Sequence, residues 1–175
     1  MLTFTATGPS SFRVTGADSP LNVFPDGGKP SEKDITLIAL PEEKETPGII
    51  SWPGEYNRGG VSIRGIGHDE GKQVSFVADP DGVRCAFLSA PVKDWTDKQI
   101  ESVGDIDVMV LPAADAKLVQ KLVDEFDPRV LILLPGDDKA ALAAVEKVIG
   151  VKERASEYKL KGALPAEGRE VIVLA

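Results

Sequence analysis

The chain has 175 residues, a formal net charge of -8 and a single cysteine, with hydrophobic residues at 42% and charged residues at 27%. That composition fits one soluble globular domain over 1-175 with room for a substantial core. It argues against a general nucleic-acid binder, because the negative charge repels phosphate backbones. It also argues against a membrane span, because Asp, Lys or Gly interrupts every apolar run short of about 18 residues.

The opening Met1-Leu-Thr-Phe-Thr-Ala-Thr-Gly8 lacks a basic leader region and reads as a strand, so cytoplasmic residence is expected. Leu2 to Ala6, Phe12 to Val14, Leu21 to Phe24 and Ile35 to Leu40 read as short strands separated by Gly- and Pro-rich turns, which predicts a mostly antiparallel sheet of hairpins. From Trp52 to Gly67 a sharp Pro53-Gly54 turn and a Gly59-Gly60 bend precede Val61, Ile63 and Ile66, near-alternate positions of a half-buried strand. Gln73 to Ala78 and Val83 to Ser89 flank Asp79-Pro80-Asp81-Gly82 as a hairpin.

From residue 94 the period changes. Thr96 caps a helix that runs to Val103, Asp107 to Leu111 is a continuous apolar strand, and Ala114 to Phe126 places Leu118, Val119, Leu122, Val123 and Phe126 on one helical face. Val130 to Leu134 is a second apolar strand, and an Ala-rich helix over Asp138 to Ile149 ends at Gly150. Strand, helix, strand, helix implies βαβ units and a partly parallel sheet covered by helices. Lys152 to Lys161 is polar, and Glu170 to Leu174 is a final strand. Cys85 lies in an apolar strand and reads as a buried, inert thiol.

Several segments, in order, carry a resemblance. Pro53-Gly-Glu-Tyr56 leading into Gly60-Val-Ser-Ile-Arg-Gly-Ile66 resembles the middle of small bacterial metallo-β-lactamase-fold hydrolases related to the ascorbate-phosphate lactonases. Gly8-Pro-Ser-Ser-Phe12 stands where similar proteins carry Gly-His-Ser-Cys-Phe, and Phe24-Pro25 where they carry Asp-Pro. Gly104 to Pro112 and Asp127 to Pro135 are similar to that family's Gly-Asp-Val-Asp-Val-Leu-Leu-Ile-Pro and Glu-Pro-Arg-Ile-Val-Ile-Pro-Met-His strands. The resemblance implies an α/β fold, an αββα sandwich with mixed sheets and helices on the outer faces. It also implies zinc or manganese, metal-dependent hydrolysis and a homo-oligomer.

Such enzymes hold metal with a His-x-His-x-Asp-His loop, an Asp in a Leu-Gly-Asp turn and a late His, donors that fix the ion and leave a position for activated water. On this chain the loop becomes Leu40, Glu42, Lys44 and Glu45, the turn Asp becomes Ala90, the late His becomes Pro135, and the first-strand His becomes Pro9. With one histidine in the chain, a dinuclear site of the family type is arithmetically impossible. Glu42 and Glu45 are the remaining metal-ligand candidates, with Lys44 opposing a cation and Asp26 or Asp137-Asp138 as further oxygen donors.

Four residues are candidates for catalysis. His68-Asp69 reads either as a base oriented by a carboxylate or as a solvated turn. Glu55-Tyr56 reads either as a pair facing a pocket or as a Tyr packed beside the turn. Gly65-x-Gly67 lacks the strand-to-helix context of a phosphate loop. The expectation is a catalytically degenerate binding or assembly module with no cofactor, whose partner is a further copy, another protein or a small molecule. The competing expectations are a residual hydrolase acting on a phosphoester or lactone through Glu42, Glu45, His68 and Asp69, and a regulatory module with an apolar ligand pocket at the former metal position.

Overall fold

The computed structural model describes residues 1–175 as two face-to-face β-sheets with a helical layer on one of them. The first sheet holds β1 (Leu2–Ala6), β2 (Phe12–Thr15), β3 (Leu21–Val23), β4 (Ile35–Leu37), β5 (Ile49–Ile50) and β13 (Glu157–Leu160), in the order β13-β1-β2-β3-β4-β5. The second holds β6 (Gly54–Arg58), β7 (Val61–His68), β8 (Gln73–Ala78), β9 (Cys85–Phe87), β10 (Val108–Pro112), β11 (Val130–Leu134), β12 (Glu153–Ala155) and β14 (Glu170–Leu174), in the order β12-β14-β11-β10-β9-β8-β7-β6. The helices are α1 (Asp97–Val103), α2 (Ala116–Phe126) and α3 (Lys139–Ile149).

Alternation explains the layers. Phe4, Val14, Leu21 and Leu37 of the first sheet and Phe76, Phe87, Val110, Ile132 and Ile172 of the second form one buried core between the sheets. Phe12 meets Phe87 edge-on across it, with ring centroids 5.2 Å apart. The opposite face of the second sheet, including Met109, Leu111, Leu131, Leu133 and Val171, packs under Trp95, Leu122, Val123, Phe126 and Val145. β10 and β11 are therefore buried on both faces, which is why they read as unbroken apolar runs.

All three helices lie on this one outer face. The first sheet's outer face carries polar side chains instead, among them Arg13, Asn22 and Thr36. Each helix start has a side-chain cap. Thr96 and Gln99 form a reciprocal capping box on α1, Asp115 accepts from Leu118 N on α2, and Asp138 accepts from Ala140 N and Ala141 N on α3. No helix is long and apolar enough to cross a membrane.

The structure corrects the sequence reading at three places. The first sheet is antiparallel from β13 through β1 and β2 to β3, as read, but not hairpin throughout, since β4 runs parallel to both β3 and β5. The strand expected to reach Leu40 ends at Leu37, and Leu40 is 67% exposed. The polar segment after Gly150 contains two strands, β12 beside β14 and β13 beside β1, so the C-terminal residues complete both sheets.

Candidate functional site

The parallel strands β9, β10 and β11 end at one side of the sandwich, where open α/β sheets form crevices. The turn after β1 closes this side through the Gly136 N–H, which donates to Pro9 O at 2.8 Å. Between the loops lies a cavity of about 680 Å3, lined by Ser10, Ala90, Pro91, Val92, Pro112, Leu118 and Ala141 with Gly136. Asp115, Asp137 and Asp138 also line it. Two of these carboxylates are occupied as helix caps, Asp115 Oδ1 at 3.1 Å from Leu118 N and Asp138 Oδ1 at 2.8 and 3.2 Å from Ala140 N and Ala141 N.

Three positions that the family resemblance assigns to metal ligands come to this side, namely Pro9, Ala90 and Pro135, and none has a donor atom in its side chain. No group of three or more His, Cys, Asp or Glu side chains is placed to hold a metal ion. The residues present therefore do not fit the zinc or manganese that the resemblance implies.

Glu42 and Glu45 lie elsewhere, in a groove of about 340 Å3 with Trp52, Tyr56 and Arg58 between the edge strands β5 and β6. Here backbone contacts dominate. Glu42 N donates to Ser51 Oγ at 3.1 Å, Trp52 Nε1 donates to Glu42 O at 2.9 Å, and Tyr56 OH donates to Trp52 O at 2.9 Å. Burial, with the charge of Glu45 added, pushes the Tyr56 phenol above its ordinary value, so it is a neutral donor and not a base. Glu55 lines a separate groove of about 490 Å3 with Arg64, Asp79 and Arg84, in which the Arg84 guanidinium holds both Asp79 oxygens at 3.0 Å. Asp26 is taken up by Ser11, whose hydroxyl donates to it at 3.3 Å.

His68 occupies neither of the settings expected for it. It closes β7 with 6% of its surface exposed, Nε2 lies 3.1 Å from Ser75 Oγ, and the ring meets Trp95 edge-on at 5.3 Å. Burial holds its pKa below the ordinary value, with Asp69 opposing and Lys93 reinforcing the shift, so the imidazole is neutral near pH 7. Asp69 does not orient it. It turns outward to Lys93 at 2.9 Å, and that lysine's hydrogen bond and charge hold the carboxyl below its usual range.

Behind His68 runs a buried chain of polar groups. Ser75 Oγ accepts from Ser89 N at 3.1 Å and lies 3.2 Å from Ser89 Oγ, while Gln73 Nε2 donates to Ser89 Oγ and to Pro91 O, both at 2.8 Å. This network ties β8 to the 89–92 loop that lines the large cavity. Its one signal in the sequence, not used above, is polar Gln73 and Ser75 two apart in an apolar strand. Cys85 is fully buried, and desolvation pushes its thiol well up, so it is inert as read.

Glu42 and Glu45 thus share one groove, Glu55 lines another, and His68 and Asp69 diverge from each other and from both. A hydrolase site built from Glu42, Glu45, His68 and Asp69 is not assembled.

No protein-family model matches the chain, and no curated protein matches it in sequence. Among solved structures, it is similar to a candidate zinc-dependent hydrolase of the metallo-β-lactamase superfamily from Thermotoga maritima, with 22% identity and a TM-score of 0.83 over 99% of this chain and 98% of that one. A candidate metal-dependent hydrolase from Parabacteroides distasonis follows with 15% identity and a TM-score of 0.67, over 99% and 92%. The metallo-β-lactamase fold protein YhfI from Bacillus subtilis has 8% identity and a TM-score of 0.61, over 99% and 96%. Likeness at these identities is one of architecture, and it joins the two mixed sheets and the crevice at the strand ends to one conclusion: this chain has the metallo-β-lactamase fold.

Proposed function

We propose that this chain is a catalytically degenerate form of that fold and works as a metal-independent binding module, with the cavity at the ends of β9, β10 and β11 as its site. The observation that carries this reading is the lining. Side chains of Ala, Pro, Val and Leu, with Ser10, Asp115, Asp137 and Asp138 among them, line an open space of about 680 Å3, within the size range of pockets for small organic ligands. The ligand is a small, predominantly apolar molecule. It is held by contact area and by the few polar groups of the rim, with the Gln73–Ser89 network fixing the 89–92 loop beneath it.

Two measurements test the reading together. Elemental analysis of tag-free protein, incubated with Zn²⁺, Mn²⁺ or Mg²⁺ and then desalted, is expected to return far less than one metal per chain. Near-stoichiometric metal that disappears in a Glu42→Gln, Glu45→Gln variant would replace the binding reading with residual hydrolysis. Saturation-transfer NMR with small aliphatic and aromatic fragments is expected to find binders whose signal is lost in Ala141→Trp, which fills the cavity. Fragment binding untouched by that variant would move the site elsewhere. The expected homo-oligomer stands beside this as a proposal, read by light scattering on the eluting peak.

A further inference from the structure

The buried polar chain behind His68 has a direction, and hydrogen-bond pairing assigns it. Pro91 O can only accept, so the Gln73 atom that meets it at 2.8 Å is Nε2, and the second hydrogen of that nitrogen goes to Ser89 Oγ at 2.8 Å. Ser75 Oγ accepts from Ser89 N at 3.1 Å. That leaves it one lone pair and one hydrogen for its other neighbours, Ser89 Oγ at 3.2 Å and His68 Nε2 at 3.1 Å. In one arrangement Ser89 donates to Ser75 and Ser75 to His68 Nε2, and every hydrogen of the chain has an acceptor. In the other, His68 donates to Ser75 and Ser75 to Ser89, which strands the Ser89 hydrogen, because Ser89 Oγ has no further partner. Gln73, Ser75 and Ser89 are all buried, where an unpaired hydroxyl is unfavourable. The first arrangement therefore holds in the neutral state. Nε2 accepts, and the ring hydrogen sits on Nδ1, which has no protein partner and meets solvent.

A proton added to His68 goes to Nε2 and forces the second arrangement. The chain reverses, and one of the contacts that hold the 89–92 loop to β8 is given up. No charge is free to offset the imidazolium. Asp69 at the end of β7 and Lys93 after the loop are the charged groups that act on the ring, and they pair with each other at 2.9 Å, with Lys72 beyond Asp69. The other elements face the ring without charge. β8 presents Ser75, α1 presents Gln99 bonded to Gly67 O, and Phe126 of α2 backs the Trp95 that covers the ring.

We propose that His68 is a proton switch on the 89–92 loop: the neutral ring is the end acceptor of the chain that locks this loop to β8, and protonation releases the loop and with it one wall of the cavity it lines. That the switch regulates ligand binding rests on the reading of this cavity as the site, whereas the switch itself does not.

Because the chain has a single histidine, heteronuclear NMR reads its ring nitrogens without ambiguity. At neutral pH the intact protein is expected to show Nε2 unprotonated and Nδ1 protonated, the reverse of the tautomer that free histidine prefers. A protonated Nε2 at neutral pH overturns the proposal without recourse to any variant. Hydrogen exchange, corrected for the intrinsic rate, is expected to show the protection of the Ser89 amide falling about fivefold or more from about pH 7.5 to about pH 5. In His68→Gln, whose Oε1 accepts from Ser75 but does not titrate, that protection is expected to stay level. Level protection in the parent, or an equal fall in both proteins, overturns the switch. Fluorescence titration with N-phenyl-1-naphthylamine, a neutral apolar probe, separates the switch from the cavity reading. Its affinity is expected to weaken about fivefold over the same pH range in the parent and to hold in His68→Gln. Probe affinity that ignores a loop seen to open overturns the regulation of binding, and no probe binding at any pH overturns the cavity reading while the exchange data still decide the switch.

Discussion

His68 brings the chain's one imidazole into the protein interior, and that burial fixes how stability responds to pH. In the unfolded chain the ring titrates near about 6.5, whereas desolvation lowers its pKa in the fold. Below about 6.5 the unfolded state therefore binds more protons than the folded one. The stabilising contribution of neutral His68 is complete above that value and is lost as pH falls from there towards the folded pKa. The urea midpoint is expected to drop between about pH 7.5 and about pH 5.5, and to drop less in His68→Gln, since carboxylates contribute equally to both proteins. Equal slopes for parent and variant would sink the assignment. A catalytic role for His68 would need Trp95 and the Ser75 hydrogen bond to give way, because His68 lines none of the cavities that hold the other candidates.

At the scale of elements, the β6–β7 hairpin explains the glycines that punctuate the middle of the sequence. Gly59 and Gly60, with φ of 52° and 78°, form its two-residue turn, a conformation that suits the right-handed twist of the strands. Gly65 serves packing, since a Cβ there would stand 2.6 Å from Trp52 O, backbone with little freedom to move. Gly65→Ala is accordingly expected to destabilise by about 1–3 kcal/mol, as overpacking does, measured by urea unfolding and accompanied by a shift in tryptophan emission. An unchanged midpoint would mean that the Trp52-Pro53 segment yields freely. Strands with an apolar period were legible along the chain, whereas β6 was not, because Gly54-Glu-Tyr-Asn-Arg58 is an exposed edge with only Tyr56 turned inward. β13 does alternate, burying Tyr158 and Leu160 between exposed Glu157 and Lys159, but four residues within a charged tract give a short signal. The parallel pairing of β4 was hidden for another reason: its turn-rich connection from Phe24 to Asp34 has the composition of a hairpin loop.

For the molecule as a whole, local pattern placed the βαβ half, and the resemblance assigned Pro9, Ala90 and Pro135 to metal-ligand positions, which the fold brings to one side of the sandwich. What separates Glu42, Glu45, His68 and Asp69 is long-range register. His68 pairs with Gln73 at the end of the β7–β8 ladder, whereas Glu42 hangs from the edge beyond β4, and no local spacing reports that distance. The C-terminal segment shows the same dependence. β14 lies between β11 and β12 with Val171, Ile172, Val173 and Leu174 buried, and β13 covers the edge of β1. Burying four such side chains contributes about 6–12 kcal/mol at about 1.5–3 kcal/mol each, comparable to a whole domain's stability of about 5–15 kcal/mol. Loss of β13 and β14 would also leave β1 and β11 as long unpaired edges, which favour association over folding. A chain ending at Gly150 is therefore expected to show no cooperative thermal transition by circular dichroism and to be cut rapidly by protease under conditions where the full chain resists. A sharp transition and a protease-resistant core in that truncation would mean that the segment from β1 through α3 folds by itself, with β12, β13 and β14 docked onto it as a separable unit.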